Sequence, residues 1–99
     1  MSKVVTLEVL GPVFYSYGDE KSFFSRLEEL PCILSIQGEV RTLYIDVQLM
    51  DIDVEDVREI VSTFRRFKVK LGEISKLETP ETTDFLRNRK SVLYKMIYG

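Results

Sequence analysis

Six carboxylates fall within fourteen consecutive residues, Asp46, Asp51, Asp53, Glu55, Asp56 and Glu59, with Arg58 as the single base among them. Such a cluster invites three kinds of chemistry. Two carboxylates cleave a glycosidic bond when the surroundings raise one pKa above the other. Here the acids stand among polar residues, with no apolar pocket to supply that shift. A run of acids also binds calcium, but an EF-hand loop needs glycine at its sixth position and glutamate at its twelfth. Counted from Asp51, those places hold Asp56 and Ser62. Neither chemistry fits. Capping of a following helix uses one or two of the acids, because negative charge stabilises a helix N-terminus. The rest form a solvated rim suited to recognising a basic protein surface, a use that requires no pKa tuning.

Other reactive groups are sparse. The chain contains no histidine, which removes serine–histidine and cysteine–histidine pairs and the usual zinc sites. Its single cysteine, Cys32, lies in the apolar stretch Leu30-Pro31-Cys32-Ile33-Leu34 without a nearby base. A small buried hydrophobe is the expected role, not a reactive thiol. The five glycines are scattered, so no phosphate-binding loop of Walker or Rossmann type is present. No cofactor is expected. The residue types favour binding over catalysis.

Charge is unevenly distributed. Residues 1–59 carry twelve acids against five bases, a net of −7, and residues 60–99 carry nine bases against four acids, a net of +5. The basic residues Arg65, Arg66, Lys68, Lys70, Arg87, Arg89 and Lys90 suggest nucleic acid. Against that stand a pI near 5.2 and the lack of the glycine-aromatic signature of RNA-recognition domains. Nucleic acid is therefore not the expected partner. No apolar run approaches the roughly 18 residues of a membrane span. The N-terminus alternates like a strand and lacks a signal peptide's apolar block, so a cytoplasmic location is expected.

The elements that must position these residues follow from spacing. Ninety-nine residues without a linker suit one domain, 1–99. Val5, Leu7 and Val9 alternate within a strand over residues 3–10, and Val13–Tyr17 resumes an extended aromatic stretch after Gly11-Pro12. Asp19 is placed to cap a helix with the stripe Phe23, Phe24, Leu27 and Leu30, which Pro31 ends. Cys32, Leu34 and Ile36, then Leu43, Ile45 and Val47, predict a hairpin turning at Gly38-Glu39. Asp51 or Asp53 caps a second helix carrying Val54, Val57, Ile60, Val61, Phe64 and Phe67. Residues 68–77 read equally as a fourth strand or a helical turn. The apolar tail, residues 91–99, is expected to pack on the core.

The order β-α-β-β-α describes an α+β fold, a ferredoxin-like split βαβ sandwich whose two helices cover one face of an antiparallel sheet. Its open face shows Thr6, Glu8, Ser35, Gln37, Thr42, Tyr44 and Asp46. Tyr44 joins the six acids as a candidate partner-binding residue.

Three segments carry a resemblance. The helix start Gly18-Asp19-Glu20-Lys21-Ser22-Phe23-Phe24 resembles that of small bacterial proteins of the immunity type. Phe64-Arg65-Arg66-Phe67 is similar to the Phe-x-Arg-aromatic end of their central helix, and Ser91–Gly99 to their tail, Ser-Tyr-Trp-Tyr-Lys-x-x-Phe-Gly. Val92 and Leu93 stand where that tail has aromatics. The resemblance implies a non-enzymatic inhibitor whose partner is a cognate protein toxin, such as a basic nuclease. The other reading of the residues is a small-ligand regulatory domain working as a homodimer through its sheet edges. An enzyme using tyrosine or carboxylates alone ranks behind both.

Overall fold

The alternating residues of the first half produce three strands, β1 (Val4–Leu10), β2 (Ile33–Glu39) and β3 (Thr42–Gln48), in a computed structural model that describes residues 3–99. They form one antiparallel sheet in the order β1-β3-β2. The register fixes the two faces. Leu7 opposes Ile45 and Val5 opposes Val47 on the buried side. On the other side Asp46 lies between Thr6 and Ser35, and Tyr44 between Glu8 and Gln37. The expected polar face is therefore assembled as the alternation implies.

Two features of the hairpin differ from expectation. Gly38 and Glu39 are not the turn but the last residues of β2, paired with Leu43 and Thr42. The turn is Val40-Arg41, because the Glu39–Thr42 pair leaves just these two residues to reverse the chain. Val40 adopts φ 57° and is fully exposed, an unfavourable conformation for a β-branched residue. Leu34 leaves the buried face. A bulge between Ile33 and Ser35 inserts it as the extra residue, 54% exposed, so that Ile33 and Ile36 both face the core.

The helix α1 (Tyr17–Glu28) is capped by Ser16, not Asp19. Ser16 has the extended backbone a cap needs, and its Oγ accepts a bond from the Asp19 N–H at 3.1 Å. Asp19 instead lies in the first helical turn, where its charge suits the helix end. The helix finishes before Pro31, and Leu30 follows in a turn bonded to Leu27. Residues 13–16 form no strand. Phe14 there turns inward against Phe23, Phe24 and Phe67, with ring centroids 5.7 to 6.2 Å apart.

The helix α2 (Val54–Arg66) starts at Asp53, whose side chain accepts from the Asp56 N–H while Asp56 accepts from the Asp53 N–H. This reciprocal capping box resolves the choice between Asp51 and Asp53. Asp51 sits two residues earlier in a left-handed conformation, φ 67°. At the other end Lys68 donates to the Arg65 carbonyl and Val69 to that of Phe64. Those two bonds make a Schellman termination, with Phe64 and Val69 both buried.

Residues 68–77 contain no strand; Gly72–Leu77 is a 3-10 helix. It lies along the outer edge of β1, where Glu73 accepts from the Glu8 N–H and Lys76 donates to the Thr6 carbonyl. Two short helices follow, α3 (Thr83–Leu86) and α4 (Val92–Tyr98). The tail is ordered: Ile97 is buried and Leu93 and Tyr98 pack against the core. Buried side chains from one sheet face, α1, α2 and the C-terminal elements join in one cluster. Among the described residues, no helix is long and apolar enough to cross a membrane.

Candidate binding groove

The segment that follows β1 is pinned before it is exposed. Gly11 donates its N–H to the Arg41 carbonyl at the hairpin tip, 2.6 Å away. A Cβ at Gly11 would meet that same oxygen at 3.2 Å, so the close approach favours glycine. Three residues on, Phe14 anchors the segment in the aromatic cluster. Its neighbours then point outward: Leu10 and Val13 are each 63% exposed, and Tyr15 is 90% exposed.

Between this segment and the end of α2 opens a groove of about 740 Å³, within the ~300–1,000 Å³ range of ligand-binding clefts. Val9, Leu10, Pro12, Val13 and Phe67 give it apolar lining. Four cations also line it: Arg41 from the hairpin tip, Arg66 from the last turn of α2, and Lys68 and Lys70 from the chain beyond. None of the four has a carboxylate within ion-pair distance among the described residues. Glu8, Asp19 and Glu73 share the lining. Glu73 is already engaged, with Lys76 Nζ and the Glu8 N–H each at 2.8 Å. Partial burial pushes its carboxyl up, but these two donors outweigh that and leave it lowered.

The expected site residues fall in three places. Asp46 and Tyr44 lie on the open sheet face, where Asp46 accepts from Thr6 Oγ1 at 2.6 Å and Ser35 Oγ at 3.0 Å. Those hydroxyls lower its pKa and tie it to both neighbouring strands. Asp53 and Asp56 are occupied in the capping box. Burial raises the Asp56 pKa, and the adjacent Asp53 carboxylate adds to it. Asp51, Glu55 and Glu59 remain exposed, Glu55 with a loose contact to Arg58 at 3.7 Å. Asp46 and Tyr44 thus belong to the open sheet face, and the other five acids to the approach and first turns of α2.

Cys32 is buried, and desolvation with the nearby Asp56 charge pushes its thiol to about 11. A thiolate is suppressed there. Among the described residues, no three His, Cys, Asp or Glu side chains are arranged to hold a metal ion. A second polar cluster centres on Glu78, which accepts from Arg87 Nε at 2.6 Å, Thr83 Oγ1 at 2.7 Å and Tyr98 Oη at 3.2 Å. Arg87 also lies over the Tyr98 ring, 4.7 Å from its centroid. Every partner there is internal, so this cluster ties α3 to α4.

Comparison with protein-family models, curated proteins and solved structures finds no match to this chain. The groove therefore stands on its own geometry. Sequence spacing does not reveal it, since its walls come from residues 8–15, Asp19 and Ser22 of α1, residue 41 and residues 66–73. Two partial signals were present: the basic run Arg65, Arg66, Lys68, Lys70, and the aliphatic and aromatic residues after Gly11 that join no strand.

Proposed function

We propose that the chain is a non-enzymatic protein–protein binding module of the immunity type, which neutralises a cognate bacterial toxin. On this reading its core is a ferredoxin-like sandwich in which the 3-10 helix occupies the place of a fourth strand, beside β1. The observation that carries the proposal is that the largely exposed Leu10, Val13 and Tyr15 line a groove whose four cations have no ion pair among the described residues. Soluble proteins rarely leave contiguous large apolar side chains in water without a partner. Tyrosine and arginine on such a patch are the residue types that dominate interface energetics.

The acids have a supporting place. Asp51, Glu55 and Glu59, which the capping and hydroxyl bonds leave free, steer a basic toxin surface toward the molecule and make the association rate fall with salt. The test uses the product of the neighbouring gene, assayed as a toxin, in a titration calorimeter and in a growth-rescue assay. Wild type binds and rescues. Tyr15→Ala combined with Val13→Asp weakens binding by about 2 kcal/mol or more without changing the melting temperature. Absence of binding and rescue by the wild-type chain overturns the proposal.

A further inference from the structure

We propose that the groove receives an extended acidic segment of the partner protein, one that alternates carboxylates with apolar side chains. This rests on the protein-binding reading above and adds the chemistry of the bound element. Arg41, Arg66, Lys68 and Lys70 face one space with no internal ion pair among the described residues. Bringing an acid to them satisfies charges that the fold leaves open, and the apolar lining desolvates the contact, which strengthens it.

Lys68 supplies an independent argument. It occupies the residue after the α2 cap with φ 61°, the left-handed position that glycine fills best in a Schellman termination. A lysine there is unfavourable for folding, yet it places a cation on the groove. Conformational strain at a ligand-facing residue is a mark of function. The shape of the lining points to an extended occupant. The 3-10 helix covers the β1 edge at Thr6 and Glu8, whereas Val9 to Val13 run along the groove as non-helical chain. Carboxylates spaced along a peptide fit a lining where Glu8 and Asp19 interrupt the cations. A continuous polyphosphate backbone meets repulsion at those two acids.

The experiment follows the fluorescence anisotropy of a labelled synthetic peptide alternating Glu with Phe and Leu. Its analogue with Lys for every Glu, an oligothymidine strand and free phenylbutyrate as competitor complete the set. The acidic peptide binds and the lysine analogue does not. Arg66→Glu and Lys70→Glu each weaken binding by about tenfold. Lys68→Gly weakens it about threefold while melting no lower than wild type, which separates loss of the cation from loss of the fold. Four results overturn the proposal: no binding of the acidic peptide, equal binding of the lysine analogue, insensitivity to the three variants, or preference for oligothymidine or phenylbutyrate. The two proposals fail separately. If the peptide binds and the neighbouring toxin does not, the toxin reading falls and the groove assignment stands. If the toxin binds with unchanged affinity to the groove variants, the reverse holds.

Discussion

Residues 4–66 and residues 68–99 are held by different means. In the first region, long elements bury periodic side chains: Leu7, Ile45 and Val47 from the sheet meet Phe23, Leu27, Ile60 and Phe64 from two helices. In the second, the elements are too short to be stable by themselves, and polar bonds to defined partners hold them. Glu73 and Lys76 fasten the 3-10 helix to β1, Thr82 joins that helix to α3, and Glu78 joins α3 to α4. Apolar anchors share the attachment: Val69, Leu71, Ile74, Leu77, Leu86 and Ile97 are all buried. Periodic burial tolerates imprecise boundaries, whereas short elements depend on individual hydrogen bonds. The groove lies where the two regions meet.

The largest expected effect tests the first region. Ile45 is fully buried at the centre of β3, so Ile45→Ala costs about 2–5 kcal/mol in denaturant unfolding. Leu43→Ala costs less, since Leu43 is only partly buried beside Gly11 and Gly38. Equal losses in the two variants would break the distinction between centre and end of the sheet.

The second region is tested at Thr82, which is fully buried. Its hydroxyl donates to the Leu77 carbonyl at 2.9 Å and accepts from the Thr79 N–H at 2.8 Å. Thr82→Val keeps the shape and strands both backbone groups, at a cost of about 1–3 kcal/mol. An unchanged unfolding midpoint would mean that apolar contacts alone hold the C-terminal elements.

A gain is expected at the hairpin tip. Val40→Gly relieves the left-handed strain of a β-branched residue and stabilises by about 1 kcal/mol. Thermal melting measures it, and a fall in melting temperature would contradict the turn geometry.

The smallest effect appears only in acid. The Arg87 and Thr83 bonds hold the Glu78 carboxyl at about 2, against an ordinary 4.5. A carboxyl lowered by folding stabilises above its unfolded value, and that contribution disappears as pH falls through the folded value. The attachment of α4 therefore loosens as pH drops from about 4.5 toward 2, seen as a shift of the Tyr98 ring resonances. Glu78→Gln removes that pH dependence. A wild-type profile retained in Glu78→Gln would assign the titration elsewhere.

Much of residues 4–66 was legible because a side-chain period is local. Alternation at Val5, Leu7 and Val9, and at Leu43, Ile45 and Val47, specifies a strand face whatever the strand pairs with. The stripe from Val54 to Phe67 specifies a helix face in the same way. Pairing register is not local, and there the tertiary structure decided. It moved the turn to Val40-Arg41 and displaced Leu34 into a bulge. It chose a 3-10 helix for residues 72–77, because Glu73 and Lys76 find partners on a strand some 65–70 residues away. Among the acids from Asp46 to Glu59, strand pairing puts Asp46 between Thr6 and Ser35 and the helix start takes Asp53 and Asp56 into its cap, neither of which adjacency in sequence decides. The groove shows the converse. Arg66, Lys68 and Lys70 are already close in sequence, but only the tertiary structure brings Arg41 of the hairpin tip and the residues after β1 around the same space.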